Sequence, residues 1–354
     1  MTHYNSLTNP LISVIMPVYN ADQFVGEAIE SILSQTFDDF EFLIIDDCSE
    51  DSSSQIISRY NDPRIRLLKN QKNIGVARTL NKGLSLARGR YVARMDADDV
   101  SIAKRFSRQF EHMERFPDVD ICGSWVWHFT GKKKFLLKFP VGRECVGSFL
   151  LLGNPLAHPA IMMRKDVLHK LDLQYDHDCL AAQDYELWSR CWGHCTMDNI
   201  PEPLMAWRQN LTGVTHSLTV ESNKTSLRVV KKMLGKLEVQ ADETKLLFHR
   251  KVGNGSGVAS LEELTEVFDW LTYLIQVNQQ QRVFPDEGLK QAAAFAWYRV
   301  CLNSSGIGVK TIFKYMQSSL CRYYRPGSEE MLYFISNAIL KFNKSPTGTL
   351  SFEK

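Results

Sequence analysis

The sequence predicts an α/β protein: a Rossmann-like, mainly parallel sheet flanked by helices, followed by a C-terminal region that is mostly α-helical. In the first hundred residues, short apolar runs alternate with amphipathic segments, which is typical of βα units. Polar and acidic residues directly follow three of these runs, as expected where parallel strands end. Beyond about residue 215, apolar residues recur three and four positions apart, which predicts helices.

The first four strands are predicted where runs rich in Ile, Val, Leu and aromatic residues are short, at residues 12–16, 40–45, 65–68 and 91–95. Helices are predicted between them, at residues 21–34, 52–59 and 76–87. Asp51 and Ser52 suit the beginning of the second helix because their side chains can accept hydrogen bonds from its free backbone N–H groups. These segments form the parallel part of the predicted sheet.

The pattern is less regular after the fourth strand. A helix is predicted at residues 102–114, Pro117 marks its end, and strands follow at residues 119–124, 125–129, 134–139 and 160–163. Further helices are predicted at residues 185–192, 261–275, 290–302, 309–323 and 329–342, with the Gly-rich residues 253–257 as a flexible connection. We therefore predict one domain over residues 1–215 and a helical region over residues 216–354.

Composition limits the class of protein. The formal net charge of +2 is too small for whole-molecule attraction to nucleic acid, so we expect no nucleic-acid partner. The N-terminal residues lack a basic segment followed by an apolar one, and no segment approaches about 20 consecutive apolar residues. Both features predict a cytoplasmic protein. Eight irregularly spaced cysteines favour reduced thiols over a disulfide framework.

Polar segments at three strand ends mark the predicted site. The first strand leads into PVYN, the second into DDCS and the fourth into DADD. Because the carboxyl ends of parallel strands meet at one edge of a sheet, we expect these segments to share a rim. One acidic pair alone fits a capped turn, whereas two pairs at the same rim favour a functional site.

The acidic segment Asp96-Ala97-Asp98-Asp99 predicts a metal site. Its spacing lets one carboxylate bind a hard divalent cation, Mg²⁺ or Mn²⁺, while another reaches a neighbouring hydroxyl. Such a cation bridges to phosphate oxygens, so a diphosphate is the expected partner. The sequence has no GxxxxGK[ST] motif and no GxGxxG after the first strand, which argues against a P-loop nucleotidase and a dinucleotide dehydrogenase.

Several separated motifs, in order, resemble the inverting family 2 glycosyltransferases with the GT-A fold, of the bacterial polysaccharide and lipopolysaccharide type. They lie in the stretches ISVIMPVYNADQFVGEAIESILSQTFDDFEFLIIDDCSEDSS and NIGVARTLNKGLSLARGRYVARMDADD. The resemblance covers about the first 125 residues closely and the chain to about residue 210 more loosely. It implies that residues 1–215 form a GT-A catalytic domain.

The resemblance also implies which residues bind a nucleotide-sugar donor. The matching positions are Pro17, Tyr19, Asn20, Asp47, Arg78, Asp96 and Arg208. Asp47 matches an aspartate that accepts a hydrogen bond from uracil, which favours a UDP-sugar. Asp96 matches the residue on the ribose side, and Arg208 a basic residue that faces the diphosphate. Asp98 matches the aspartate that binds the metal.

A catalytic base and an acceptor contact are implied in the same way. The family base is an aspartate in a Glu-Asp pair at the beginning of a helix, and Asp184 in AAQDYELWSR matches it, with Gln183 in place of Glu. Glu186 is the alternative base, and a simple helix cap is the alternative role for Asp184. His158 lies in a stretch that resembles the acceptor side, with an ordinary loop as the alternative.

The resemblance implies a metal-dependent inverting hexosyltransferase. It would move a sugar from a nucleotide-sugar, with a UDP-sugar favoured, to a hydroxyl of a glycan or lipid-linked acceptor in cell-surface polysaccharide biosynthesis. Two other classes stay open, a sugar nucleotidyltransferase and a catalytically silent nucleotide-sugar-binding protein. The first usually carries a Gly-rich basic signature where this chain has PVYNADQF, and the acidic residues Asp96, Asp98 and Asp184 argue against the second.

The helical region lies outside the resemblance, and we consider acceptor binding and membrane-surface binding as its roles. Basic residues recur in residues 224–236, and basic residues mix with tyrosines in residues 314–325. Such patterns are typical of membrane-surface helices and also of solvated faces in a helical bundle. For a lipid-linked acceptor, peripheral contact with the inner face of the cell membrane would follow.

Overall fold

The computed structural model describes residues 9–131, 133–209 and 218–341. The chain divides into two compact units. The first, which we call the sheet unit, comprises Met1–Phe139 and Leu156–Ser222, and the second, the helical unit, comprises Pro140–Pro155 and Asn223–Lys354. The predicted boundary at residue 215 lies outside the described residues. No pattern in the sequence predicted that residues 140–155 belong with the helical unit.

In the described ranges, nine strands form one sheet, in the order β3-β2-β1-β4-β8-β6-β9-β5 with β7 paired to β6. They are β1 (Ile12–Val18), β2 (Phe40–Asp46), β3 (Ile65–Lys69), β4 (Tyr91–Arg94), β5 (Val100–Ser101), β6 (Ile121–Thr130), β7 (Lys133–Leu137), β8 (Met162–Arg164) and β9 (Met197–Arg208). The first four strands pair in parallel, and β8 is antiparallel to β4 and β6. Together with its flanking helices, this mixed and mostly parallel sheet confirms the predicted fold class.

The helices of the sheet unit are α1 (Val25–Leu33), α2 (Ser53–Ile57), α3 (Val76–Leu86), α4 (Arg105–Arg115), α6 (Lys165–Lys170) and α7 (Gln183–Cys191). Every residue of β2 is buried, as in a central strand covered on both faces. Gly83 allows α3 to approach the sheet closely, since an added Cβ would lie 2.5 Å from the Ile15 side chain. Because β1 pairs in parallel with both β2 and β4, the carboxyl ends of these three strands lie at one edge of the sheet.

Three strands differ from their predictions, and one of them, the two-residue strand β5, was not predicted. Residues 119–124 and 125–129 were predicted as separate strands, but they form the single strand β6. The twelve-residue strand β9 was not predicted, because its prolines interrupt the apolar pattern. Pro203 pairs with Trp125, and the register shifts on both sides of Trp125. A bulge therefore accommodates residues that cannot donate to a sheet.

The helical unit contains α5 (Arg143–Phe149), most of α8 (Thr219–Lys236), α9 (Glu243–Gly253), α10 (Leu261–Gln281), α11 (Asp286–Asn303), α12 (Lys310–Gln317) and α13 (Ser328–Leu340). Residues 292–298 of α11 are all buried, so this helix forms the centre of the unit. Helix α5 packs on it, with the Phe149 and Phe295 rings 5.7 Å apart. No helix among the described residues is long and apolar enough to cross a membrane.

The Gly-rich residues 253–257, predicted as a flexible connection, form a turn that is held by α11. The carbonyl of Asn254 accepts from Arg299 Nη2 at 2.6 Å, and that of Gly255 accepts from Asn303 Nδ2 at 2.8 Å. Gly255 has φ of +68°, a conformation that side chains disfavour. The glycines therefore serve a tight turn.

Candidate active site

The loops after β1 and β2 are joined by hydrogen bonds. The Asn20 N–H donates to Ser49 Oγ at 3.1 Å, and Asn20 Oδ1 accepts from the Glu50 N–H at 2.8 Å. Asn20 has φ of 48°, which asparagine tolerates better than most residues. Pro17 is half-buried in β1, and Tyr19 beside it is 46% exposed. The structure thus brings the first two predicted donor-binding segments onto one rim.

Asp47 organises the turn before α3. Its Oδ1 accepts from Asn70 Nδ2 at 2.7 Å and from the Ile74 N–H at 3.0 Å, and its Oδ2 accepts from the Gly75 N–H at 2.9 Å. The side chain is buried. Arg78, one turn into α3, is exposed and forms no ion pair with another described residue. The donor contacts of Asp47 and Arg78 stay predictions.

The loop after β4 brings three carboxylates together. One oxygen each of Asp96, Asp98 and Asp99 lies within 4.8 Å of the others, and the described residues contain no second cluster of this kind. Arg94, the last residue of β4, is buried and donates from Nη1 to Asp96 Oδ2. Because these three carboxylates lie so close together, the loop is suited to bind a hard divalent cation.

Asp99 is buried beside the last residue of β9. Its Oδ1 accepts from the Arg208 N–H at 2.8 Å, whereas its Oδ2 has no hydrogen-bond partner among the described residues. Burial raises the pKa of Asp99 well above its ordinary value, and the charges of Asp96 and Asp98 raise it further. A buried oxygen without a partner is costly, and a cation would satisfy it. No role for Asp99 followed from the sequence, and the structure makes it a candidate ligand.

Arg208 connects the acidic loop to α1. Its Nε donates to the Asp98 carbonyl at 2.8 Å, and its Nη2 pairs with Glu27. The guanidinium lies 4.7 Å from the centre of the Phe24 ring and 4.5 Å from that of Phe129. The structure therefore holds Arg208 at the predicted rim, and its contact with a diphosphate stays a prediction.

Asp184 is the second residue of α7, which begins at Gln183 after a left-handed Ala182. Burial raises the pKa of Asp96, the neighbouring Arg94 lowers it, and the charges of Asp98 and Asp184 raise it further, so Asp184 lies within electrostatic range of Asp96. The alternative base Glu186 is buried and accepts from Arg190 Nε at 2.9 Å. This ion pair makes Glu186 a structural residue and leaves Asp184 as the candidate base.

His158 lies in the interior. Its Nε2 is 2.8 Å from the Tyr175 hydroxyl, and its ring also contacts Trp188 at 6.3 Å between centres. Burial lowers the pKa of His158 well below its ordinary value, and the charge of Arg94 lowers it further. His158 is thus a neutral, buried side chain. Its predicted acceptor contact stays a prediction.

Two arginines near the site are buried, which the sequence did not indicate because this residue type is rarely buried. Arg94 pairs with Asp96, and its position two residues before Asp96 on an apolar strand was the available signal. Arg105 donates to the carbonyls of Arg94 and Ile161 at 2.7 and 2.9 Å. Burial lowers the pKa of Arg105 to about 9. Both arginines hold the chain around the acidic loop.

Comparison with known proteins assigns a family to this βα arrangement with an acidic loop at its carboxyl edge. The model of Glycosyl transferase family 2 matches residues 13–171. An uncharacterised glycosyltransferase of Methanocaldococcus jannaschii is 34% identical over 210 residues, which cover 57% of this chain and 72% of the relative. The chain belongs to glycosyltransferase family 2.

Two further proteins are similar to this chain. WfgD of Escherichia coli, a UDP-Glc:α-D-GlcNAc-diphosphoundecaprenol β-1,3-glucosyltransferase, is 29% identical over 178 residues, which cover 50% of this chain and 68% of WfgD. The crystal structure of residues 1–349 of TarS from S. aureus with UDP-GlcNAc is 17% identical, with a TM-score of 0.53. That match covers 87% of this chain and 89% of the other, and it shows a shared fold.

Proposed function

We propose that this glycosyltransferase is metal-dependent and inverting, and that it transfers a hexose from a UDP-sugar to a hydroxyl of a glycan or lipid-linked acceptor. The observation that carries the proposal is the convergence of Asp96, Asp98 and Asp99, with Asp184 close enough to affect Asp96. The donor diphosphate requires a cation, and the acceptor hydroxyl requires a base. One rim of the sheet unit offers both.

The donor-binding residues are Pro17, Tyr19, Asn20, Asp47, Arg78, Asp96 and Arg208. Among the described residues, only the Gly75 N–H donates to Asp47 Oδ2, and the remaining lone pair supports a hydrogen bond from a uracil base. The exposed Tyr19 ring, just after β1, offers an apolar face. Two similar proteins also favour UDP, because WfgD uses UDP-Glc and TarS was crystallised with UDP-GlcNAc.

Asp98, with Asp96 and Asp99, would hold Mg²⁺ or Mn²⁺, and the unpartnered Asp99 Oδ2 fits this purpose. When bound, the cation stabilises the negative charge that develops on the leaving diphosphate. The chain's own residues prepare this site. Arg94 orients Asp96, and Arg208 holds both the Asp99 carboxylate and the Asp98 main chain.

Asp184 acts as the base. Its carboxylate accepts the proton of the acceptor hydroxyl while the hydroxyl oxygen forms a bond to the anomeric carbon of the donor sugar. The bond from that carbon to the phosphate oxygen breaks, and its electron pair leaves with the nucleoside diphosphate. Because the acceptor attacks the face opposite the leaving group, the anomeric configuration inverts.

A lipid-linked acceptor places the protein at the inner face of the cell membrane. WfgD of E. coli is a glucosyltransferase that acts on a diphosphoundecaprenol-linked acceptor. In this chain, the exposed apolar residues Val309, Phe313 and Met316 lie on one side of α12, beside Lys310 and Lys314. An apolar strip beside basic residues is what binds an anionic membrane surface. We therefore propose a cytoplasmic enzyme in peripheral contact with the membrane, acting in cell-surface polysaccharide biosynthesis.

Among the described residues, the basic segment of α8 does not offer such a surface. Its apolar residues Val229, Val230, Met233 and Leu234 are buried. The exposed residues around them include Lys224, Lys231 and Lys232, which makes this part of α8 a solvated face. Tyr315, counted among the aromatic residues of the second basic segment, is also buried. The exposed strip of α12 thus carries the membrane proposal.

A donor screen tests the proposed function. The purified protein is incubated with Mn²⁺ or Mg²⁺, a panel of nucleotide-sugars and candidate glycan acceptors, and nucleoside diphosphate release is measured. We expect release that depends on a UDP-hexose, on the metal and on an acceptor, with inverted configuration in the product. Pyrophosphate release from a nucleoside triphosphate and a sugar phosphate would instead indicate a nucleotidyltransferase. Donor binding without release would indicate a silent protein.

A further inference from the structure

The helical unit contains a cavity of about 880 Å³. One wall is the side of α10 that carries Glu266, Asp269, Trp270 and Tyr273, at the spacing of one helix face. The opposite wall comes from the beginning of α9 and the residues before it. Its size suits a ligand of several rings. No role follows for this cavity from the family resemblance, which ends before the helical unit.

Aromatic rings form a fixed platform in the cavity. The Trp270 and Tyr273 rings are stacked, with centres 5.5 Å apart and planes 24° apart. Trp270 is held from behind, because its Nε1 donates to His249 Nδ1 at 3.0 Å. Tyr273 is 44% exposed, so part of its ring is available to a ligand. Phe248, half-buried on the other wall, adds a further apolar surface.

Hydrogen-bond acceptors surround this platform. The exposed carboxylates of Glu266 and Asp269 make no hydrogen bond or ion pair with any described residue. Gln240 and Thr244 add donors as well as acceptors at the opposite wall. A ligand with many hydroxyl groups can donate to the carboxylates and place its C–H faces on the rings.

Charge excludes other ligand classes. Asp242, Glu266 and Asp269 outnumber Lys245 in the lining, so phosphate groups and anionic lipids are repelled. The Lys245 ammonium already lies 4.4 Å from the centre of the Trp270 ring, where an organic cation would bind. A wholly apolar ligand would leave the carboxylates without partners. A neutral saccharide fits all three conditions.

We propose that this cavity binds the neutral saccharide part of the acceptor glycan. That the bound saccharide belongs to the acceptor rests on the proposed function, whereas saccharide binding by the cavity does not. Tyr273 would stack on a sugar ring, and Glu266 and Asp269 would accept hydrogen bonds from its hydroxyls. A glycan that binds this cavity as well as the active site would stay longer on the enzyme, and the helical unit would then contribute to acceptor choice.

The test uses the full chain and ligand-observed NMR with cellotetraose, chitotetraose and maltotetraose at millimolar concentration. We expect at least one of them to bind, and Tyr273→Ala to weaken that binding about three- to tenfold, the typical range for an aromatic contact. Tyr273→Phe retains the ring and should retain binding. The paired change Glu266→Gln and Asp269→Asn should also weaken it, while Leu332→Ala and Glu329→Gln, at exposed positions elsewhere in the helical unit, should not.

Several results would overturn the proposal. They are the absence of binding for all three saccharides, unchanged binding by Tyr273→Ala, and binding of only tetramethylammonium or inorganic phosphate. UDP release from a UDP-sugar, measured on the same variants, reports on the sheet unit separately. We expect Tyr273→Ala to leave donor hydrolysis unchanged. If the original protein binds a saccharide but transfers no sugar, only the proposed function is contradicted.

Discussion

The backbone N–H of Arg208 donates to Asp99 Oδ1 at 2.8 Å. This contact joins the last residue of β9 to the acidic loop after β4, although the two residues are 109 positions apart. Since Asp99 Oδ2 has no partner within the described part of the chain, the same carboxylate has one oxygen fixed and one available. The loop is thus held in place by the protein before any cation binds.

Metal binding should depend on Asp98. We expect Asp98→Asn, and equally removal of divalent cations with a chelator, to lower transfer by at least about a hundredfold, because the leaving diphosphate loses its counter-charge. Mn²⁺ binding by the variant, measured calorimetrically, should weaken in parallel. Asp38→Asn, at an exposed position before β2, is the matched control. Full activity of Asp98→Asn would exclude it as a metal ligand.

Asp184→Asn should abolish transfer while UDP-sugar binding persists. The amide has nearly the same shape but cannot accept the acceptor proton, and loss of a general base costs about 10²- to 10⁴-fold. Transfer rate and donor dissociation constant are measured side by side. Asp166→Asn, in the first turn of α6, is an exposed control. Unchanged transfer by Asp184→Asn would remove the base assignment.

Arg208→Lys should lower transfer on the order of tenfold, because an ammonium cannot hold Glu27 and the Asp98 carbonyl at once between two rings. The fall should appear with weakened Mn²⁺ binding, since Arg208 holds the acidic loop. Arg108→Lys, which changes an arginine with exposed ion pairs to Glu111 and Glu202, is the control. If Arg208→Lys changes only the UDP-sugar affinity, the loop-holding role is wrong.

His249 should make the helical unit sensitive to acid. Burial lowers the pKa of His249 from 6.5 to about 4, and its ring bridges the Trp270 indole and the Leu151 carbonyl. Below pH 6.5 the unfolded chain binds a proton that the folded protein binds only near pH 4. Stability is therefore highest above pH 6.5 and falls as the pH is lowered toward 4, by about 3 kcal/mol in total.

Urea unfolding near neutral pH and near pH 5 measures this effect. His249→Phe should be less stable than the original at neutral pH, because it loses both hydrogen bonds, and the difference should shrink at the lower pH. His169→Phe, at an exposed position of α6, is the control. If the free energies of unfolding of His249→Phe and the original protein differ equally at the two pH values, His249 does not cause this pH dependence.

Membrane contact should require the apolar strip of α12. Phe313 is 62% and Met316 56% exposed, and burial of such side chains in an interface contributes about 1.5–3 kcal/mol each. Phe313→Glu should therefore lower sedimentation with phosphatidylglycerol vesicles by at least about tenfold. Leu247→Glu, at a half-exposed position of α9, serves as control. If the original protein does not sediment with these vesicles, the peripheral location is wrong.

The strands of the parallel half were predictable because each is a short local run of apolar residues. The acidic loop was predictable too, since a strand that ends in DADD places carboxylates at the sheet edge whatever the remaining fold. Strand β9 was not, because Pro201 and Pro203 disrupt the pattern and their tolerance depends on a bulge opposite Trp125. The apolar pattern within one segment does not predict a bulge in a partner strand that is distant in the sequence.

The amino-acid sequence by itself determined the α/β class, the family motifs and the candidate residues Asp96, Asp98 and Asp184, since these depend on neighbours within a few positions. Only the tertiary structure decided which partners those residues have. It placed Arg94 against Asp96, left one Asp99 oxygen without a partner, and formed the Trp270 cavity from two helices. Burial and pairing are properties of contacts between segments far apart in the chain, and no local pattern encodes them.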